Sequence, residues 1–149
     1  MTKVQKKITI HAPIDKVFAF MTDPRNLPEV WPSMIEIKNV KAARNGGYDF
    51  EWVYKMGGMH FNGASETTEF VVNKRQVTKG TKGIESTFTW NYETTKDGTL
   101  LNLEVEYKIP LPLIGKIAEA ILVKQNDHEA QLTLDNLKVR MEMEIPVPA

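Results

Sequence analysis

The chain has 149 residues, enough for one domain with a sizeable core and too few for two comfortable ones. Its 19 basic and 19 acidic side chains cancel, and neither sign forms a long run, which argues against nucleic acid as a partner. The absence of cysteine excludes disulfides, thiolate nucleophiles and sulfur metal ligands.

The N-terminal segment predicts one strand followed by two short helices. Residues 3–11 alternate between apolar and polar side chains, which is typical of a strand with one buried face. Pro13 suits the first position of a helix. Asp23 and Pro24 repeat the start signal, with Asp23 as N-cap, and predict a second helix that ends near Val30.

The middle of the chain predicts a meander of six strands, because its side-chain pattern has a period of two almost throughout. Turn signals rich in Asn, Asp and Gly separate the strands, and such short links imply antiparallel hairpins. The predicted strands cover residues 34–43, 47–56, 59–72, 75–80, 84–94 and 99–109.

A long C-terminal helix is predicted over residues 113–144, which contain good helix formers and no proline. At 1.5 Å per residue it would be roughly 45 Å long. The apolar segment before and into it, residues 108–123, would gate a cavity, touch a membrane surface or simply start the helix. No apolar run reaches the roughly 18 residues of a membrane span, and no signal segment opens the chain, so we expect a cytoplasmic protein without stable membrane insertion.

This element order predicts one α+β domain over residues 1–149 with a curved sheet. A flat sheet of seven strands would be roughly 30 Å wide, and one helix about 10 Å across cannot cover it. The sheet is therefore expected to curl around the C-terminal helix, with Gly63 as a place for a bulge or bend. Such an arch favours a ligand-sized cavity between sheet and helix.

Large aromatic side chains share the inner face of this sheet, and they are candidates for the cavity wall or for a ring-rich core. Their hydroxyl and indole groups would all need partners in a dry core, which favours the cavity. Trp31 would either guard the entrance or anchor the second helix. The candidate ligand-binding rings are Trp31, Trp52, Tyr54, Phe88, Trp90, Tyr92 and Tyr107.

The C-terminal helix predicts an inward stripe that includes Ile117 and Ile121. Gln125 and His128 fall at the same angular position. Ile121, Gln125 and His128 are therefore candidate ligand-binding residues, and Gln125 and His128 would contact the polar end of the ligand. Leu134 and its apolar neighbours lie on nearly the opposite side of the helix. Polar groups on a buried stripe require partners, which water or a ligand would supply.

Candidate catalytic residues are few. His128 would serve as an acid or base because imidazole side chains exchange protons near neutral pH, and Glu66 would do so if it points inward. The three histidines are too isolated for a metal site. No phosphate-binding glycine motif or nucleophile elbow is present, so no metal and no cofactor is predicted.

Three stretches together resemble the START-like (SRPBCC) superfamily, also called the polyketide cyclase/dehydrase and lipid-transport group. They are "ITIHAPIDKVFAFMTDPRNLPEVWPSM", "KDGTLLNLEVEY" and "HEAQLTLDNLKVRME". The resemblance covers essentially the whole chain and implies the helix-grip fold. It also implies a hydrophobic small molecule or lipid as partner. A cyclase/dehydratase-like enzyme and a regulatory protein-interaction module are the alternatives, because one fold hosts all of these activities.

Overall fold

The computed structural model describes residues 1–109 and 115–143, which form one antiparallel sheet of seven strands and a long helix. The helices are α1 (Ile14–Thr22), α2 (Leu27–Val30) and α3 (Lys116–Glu142). The strands are β1 (Thr2–Ile10), β2 (Met34–Ala42), β3 (Tyr48–Met56), β4 (Met59–Val71), β5 (Arg75–Lys82), β6 (Ser86–Thr95) and β7 (Gly98–Tyr107). The predicted α+β helix-grip architecture is confirmed.

The connection from β1 to β2 follows the predicted helix signals closely. Pro13 is the N-cap residue of α1 and not its first helical residue. The Asp23 carboxylate accepts a hydrogen bond from the Arg25 backbone N–H at 3.1 Å, as expected of an N-cap. The predicted second helix consists of a 3-10 turn, Pro24–Asn26, followed by the single turn of α2.

The sheet has the spatial order β1-β7-β6-β5-β4-β3-β2, and each neighbouring pair is antiparallel. Its inner face is apolar, as the alternation predicts. Leu101 and Leu103 of β7 are at most 1% exposed, whereas Glu104 between the inward positions faces outward. β1 and β2 form the two edges, so the concave face lies between them.

The sheet curls strongly enough for distant strands to meet the same ring. Trp31 packs against Tyr54 of β3 and Phe88 of β6, with ring centroids 5.9 and 5.2 Å apart. In a flat sheet these strands would lie about 14 Å apart. The β4–β5 register shifts between Ala64 and Ser65. This irregularity directly follows Gly63, where a bulge or bend was predicted.

Helix α3 closes the concave face with a different side from the one predicted. Its buried residues are Leu122, Ala130, Thr133, Leu134, Leu137 and Met141. Ile117 and Ile121 are 81% and 52% exposed, so the predicted inward stripe is wrong. The first six residues of α3, 116–121, are all exposed, so their isoleucines do not determine how the helix faces the sheet.

Polar contacts fix the position of α3 against the β1 edge and the α2 region. The Ser33 backbone N–H donates to the Glu129 carboxylate at 2.7 Å, and the Asn136 amide donates to the Val30 carbonyl at 3.0 Å. On the other side, Lys6 of β1 pairs with Asp127 at 2.9 Å. Within the described ranges, no helix is long and apolar enough to cross a membrane.

Candidate functional site

A partly enclosed cavity of about 100 Å³ lies between the concave face of the sheet and α3. Side chains from all seven strands, the α1–α2 region and α3 contribute to its wall, and most of that wall is apolar. Six of the seven predicted rings line it: Trp31, Trp52, Tyr54, Phe88, Trp90 and Tyr107.

Trp31 is the ring that bridges the cavity. Its backbone is held on both sides, because its N–H donates to the Leu27 carbonyl at 2.9 Å and its carbonyl accepts from Met34 at 3.0 Å. The side chain is 7% exposed. Its indole N–H is buried beside the Tyr54 hydroxyl. It is near enough to act against the rise in the pKa of Tyr54, but the two groups do not have the geometry of a hydrogen bond. Trp31 is therefore both a packed anchor and part of the cavity wall.

Trp52 lies flat on the inner face because its cross-strand partner is Gly63. A Cβ atom at Gly63 would come within 2.2 Å of the Trp52 ring and 2.4 Å of the Lys82 carbonyl oxygen. The indole N–H of Trp52 donates to the Ser65 hydroxyl at 2.9 Å. The glycine and the serine together fix this ring as part of the cavity wall.

Tyr54 and Tyr107 place two phenols on the cavity wall near α3. Burial raises the pKa of Tyr54 to about 12, although the polar groups of Trp31 and Ser33 beside it act in the opposite direction. Burial also raises the pKa of Tyr107, whose hydroxyl accepts a hydrogen bond from the Asn126 amide at 3.0 Å. Both phenols are therefore neutral at physiological pH.

Sequence reasoning missed the polar side chains that β5 contributes to the wall. Gln76 and Thr78 are 5% and 9% exposed, and both line the cavity. Pairing with β6 sets Gln76 opposite Trp90 and Thr78 opposite Phe88. The signal available in the sequence was this hairpin register, since it places both side chains on the same face as the predicted rings.

Four further candidates lie away from the cavity. Gln125 and His128 are exposed, as is Ile121, because α3 turns its other side to the sheet. Glu66 is exposed on the outer face of β4, since its neighbour Thr67 takes the buried position. The predicted inward positions of Ile121, Gln125 and His128 were therefore wrong, and Glu66 does not meet the condition on which it was a candidate, an inward side chain. The polar residues that α3 contributes to the cavity wall are instead Asn126 and Thr133.

Tyr92 faces inward but also lies outside the cavity wall. α1 covers this end of the sheet, and Phe18 packs edge-on against the Tyr92 ring with centroids 5.0 Å apart. The Tyr92 hydroxyl is buried without a hydrogen bond to any described residue, and burial raises its pKa. Tyr92 is part of the packed core beneath α1.

The described part of the cavity wall offers the chemistry of neutral groups. Of the described residues on the wall, only Tyr54 and Tyr107 have side chains that titrate. Nor do the described ranges contain a cluster of three His, Asp or Glu side chains able to hold a metal ion. The wall therefore offers apolar surface, phenols, hydroxyls and amides to anything that enters.

The family model described as "Polyketide cyclase / dehydrase and lipid transport" matches residues 1–142. The chain belongs to this family. No curated protein matches the chain in a sequence comparison.

Several solved structures have a fold similar to that of this chain. TTHA0849 from Thermus thermophilus has a TM-score of 0.76 at 19% identity, with 97% of this chain and 100% of that one covered. A START superfamily protein from Mycobacterium smegmatis has a TM-score of 0.74 at 16% identity, with 95% and 97% covered. The di-domain ARO/CYC StfQ of the steffimycin biosynthetic pathway has a TM-score of 0.77 at 16% identity, with 97% of this chain and 52% of StfQ covered. At these identities the likeness is one of fold.

Proposed function

We propose that this protein binds a small, mainly apolar molecule in the cavity between the sheet and α3. The observation that carries the proposal is a space of about 100 Å³ that persists among six large rings, next to the Trp31 indole N–H, which has no hydrogen-bond partner in the described residues. A core selected only for stability would be packed to a density that leaves few voids larger than a water molecule. Membership of a family named for cyclases and lipid transport supports the same role.

The cavity volume sets the size of guest that fits without rearrangement. A cavity of about 150 Å³ accommodates benzene, and drug-sized ligands fill roughly 300–1,000 Å³. At about 100 Å³ the space is smaller than that, so a single-ring compound is the largest guest that a small adjustment of the wall would admit. Larger guests require the wall to move, and Met21, Met34 and Met56 on that wall are the side chains best able to adapt.

Burial of the guest's own apolar surface supplies the affinity. A ring compound that buries about 200 Å² would gain about 5 kcal/mol at about 25 cal/mol per Å². Before the costs of association, this corresponds to a Kd below about 1 mM. Titrations of simple ring compounds should therefore extend into the millimolar range.

The enzyme alternative has weaker support in this geometry. His128 and Glu66 are exposed outside the cavity, so they cannot exchange protons with a guest inside it. The remaining titratable groups on the described wall are phenols, and burial raises the pKa of Tyr54 to about 12. Such a phenol donates a hydrogen bond at neutral pH but is a poor general base.

Filling the cavity tests the proposal directly. Ala130→Leu places three further carbons on the cavity side of α3, whereas Ala120→Leu makes the same change at an exposed position of the same helix. All three tryptophans line the cavity, so intrinsic fluorescence should report toluene or naphthalene binding. We expect saturable binding to the wild type and to Ala120→Leu, and a loss of at least roughly tenfold in Ala130→Leu.

Two results would reject the proposal. One is the absence of saturable binding of both compounds to the wild type. The other is an equal affinity of the two leucine variants for the bound compound, because guests would then occupy some other surface.

A further inference from the structure

Gln76 and Thr78 form a polar strip on the inner face of β5, in the middle of a wall that is otherwise mostly apolar. They are two residues apart on one strand, so their side chains point to the same face. Across the β5–β6 ladder they face Trp90 and Phe88. The strip is thus bordered by two of the rings that line the cavity.

Neither side chain of the strip has a hydrogen-bond partner within residues 1–109 and 115–143. Gln76 is 5% exposed and Thr78 is 9% exposed. Neither donates or accepts a side-chain hydrogen bond with any residue in the described ranges, and yet their polar atoms are not sealed in the packed core, since both residues line the cavity. Other hydroxyls on this wall do have partners: Thr22 donates to the Phe18 carbonyl and Thr133 to the Glu129 carbonyl.

Among the described residues, the surroundings of the strip carry no formal charge. The described wall residues include no Lys, Arg, His, Asp or Glu. A carboxylate or ammonium group inside this cavity would lose its hydration without gaining an ionic partner, which is strongly unfavourable. A neutral group with both a donor and an acceptor would instead match the amide of Gln76, which offers both.

We infer that the cavity selects uncharged, compact ring compounds that carry a carboxamide or hydroxyl group, with Gln76 and Thr78 as the residues that recognise this group. This inference rests on the proposed function and adds the chemical class of the ligand. Gln76 and Thr78 determine specificity, while the rings provide most of the contact area.

Benzamide, benzoate and toluene separate the contributions of charge, hydrogen bonding and apolar contact. Benzamide and benzoate have nearly the same shape, and toluene lacks the polar group. At pH 7 we expect the wild type to bind benzamide at least roughly tenfold more tightly than benzoate in calorimetric titrations. Gln76→Leu should lower the affinity for benzamide about tenfold and leave the affinity for toluene unchanged or higher.

Two variants accompany Gln76→Leu. Thr78→Val preserves the shape of the side chain and removes its hydroxyl. It should lower the affinity for benzamide by about threefold to tenfold. Gln125→Leu makes the same chemical change as Gln76→Leu at an exposed position of α3 and should alter none of the affinities. Because Gln76 has no partner in the described protein, Gln76→Leu is also expected to raise the melting temperature by about 2–4 °C.

The outcomes distinguish this inference from the function on which it rests. Suppose that toluene binds but that the affinities for benzoate and benzamide are equal, or that Gln76→Leu and Thr78→Val keep the wild-type preference for benzamide. The assignment of the polar strip is then wrong and the cavity proposal stands. A loss of melting temperature in Gln76→Leu would show that its amide has an internal partner and would equally overturn the assignment. If none of the three compounds binds the wild type, both proposals are rejected.

Discussion

Replacing Gly63 with alanine is expected to lower the free energy of unfolding by about 3 kcal/mol. The new methyl group would lie 2.2 Å from the Trp52 ring and 2.4 Å from the Lys82 carbonyl oxygen, far inside contact distance. The carbonyl belongs to the sheet backbone and cannot move aside cheaply. Trp52 must therefore turn away, which breaks its hydrogen bond to Ser65 and distorts the cavity wall.

Gly58→Ala is the matched control for this substitution. Nothing lies within 4 Å of a Cβ atom at Gly58, but its φ of +78° is strained for alanine, at a cost of about 1 kcal/mol. Urea unfolding of the two variants, followed by circular dichroism, separates steric overlap from backbone strain. Equal losses in both variants would contradict the close contact between Gly63 and Trp52.

The second large effect is expected at α3, where Leu134→Ala should destabilise the protein by about 3–4 kcal/mol. Leu134 is fully buried between the helix and the sheet, so its truncation leaves a cavity in the packed core. Ile121→Ala removes a similar side chain from a position that is 52% exposed, and should change stability by no more than about 0.5 kcal/mol.

This pair of variants decides which side of α3 grips the sheet. Unfolding in urea gives the two free energies under identical conditions. If Ile121→Ala were the more destabilising substitution, the stripe predicted from sequence would face the sheet, and the cavity wall would have to be assigned again.

The strands and helices were predictable because each depends on local pattern. Alternation marks every strand within two residues of its ends, and the Asp23-Pro24 signal marks the start of a helical segment. The face of α3 was not predictable in the same way, because apolar residues follow two different stripes along it. Contacts with β1 and the α2 region select the leucine-rich stripe of its C-terminal half, and those contacts join residues about 100 positions apart.

The candidate site was likewise predictable where it depends on local pattern and not where it depends on contacts between distant residues. Alternation placed the rings on the inner face, and six of the seven line the cavity. Tyr92 shares that face, but Phe18 of α1 covers it, which no local pattern reveals. Gln76 and Thr78 were missed because β5 lacks regular apolar alternation, so its inner face becomes evident only from its register with β6.

An NMR titration of the wild-type protein with toluene tests the occupancy of the cavity most directly. All three tryptophans line the cavity, so the indole N–H signals of Trp31, Trp52 and Trp90 should shift together and saturate at one common Kd. The backbone signals of Ile117 and Ile121, on the exposed part of α3, should stay in place. Unchanged indole signals, or shifts confined to Ile117 and Ile121, would contradict a ligand site between the sheet and the helix.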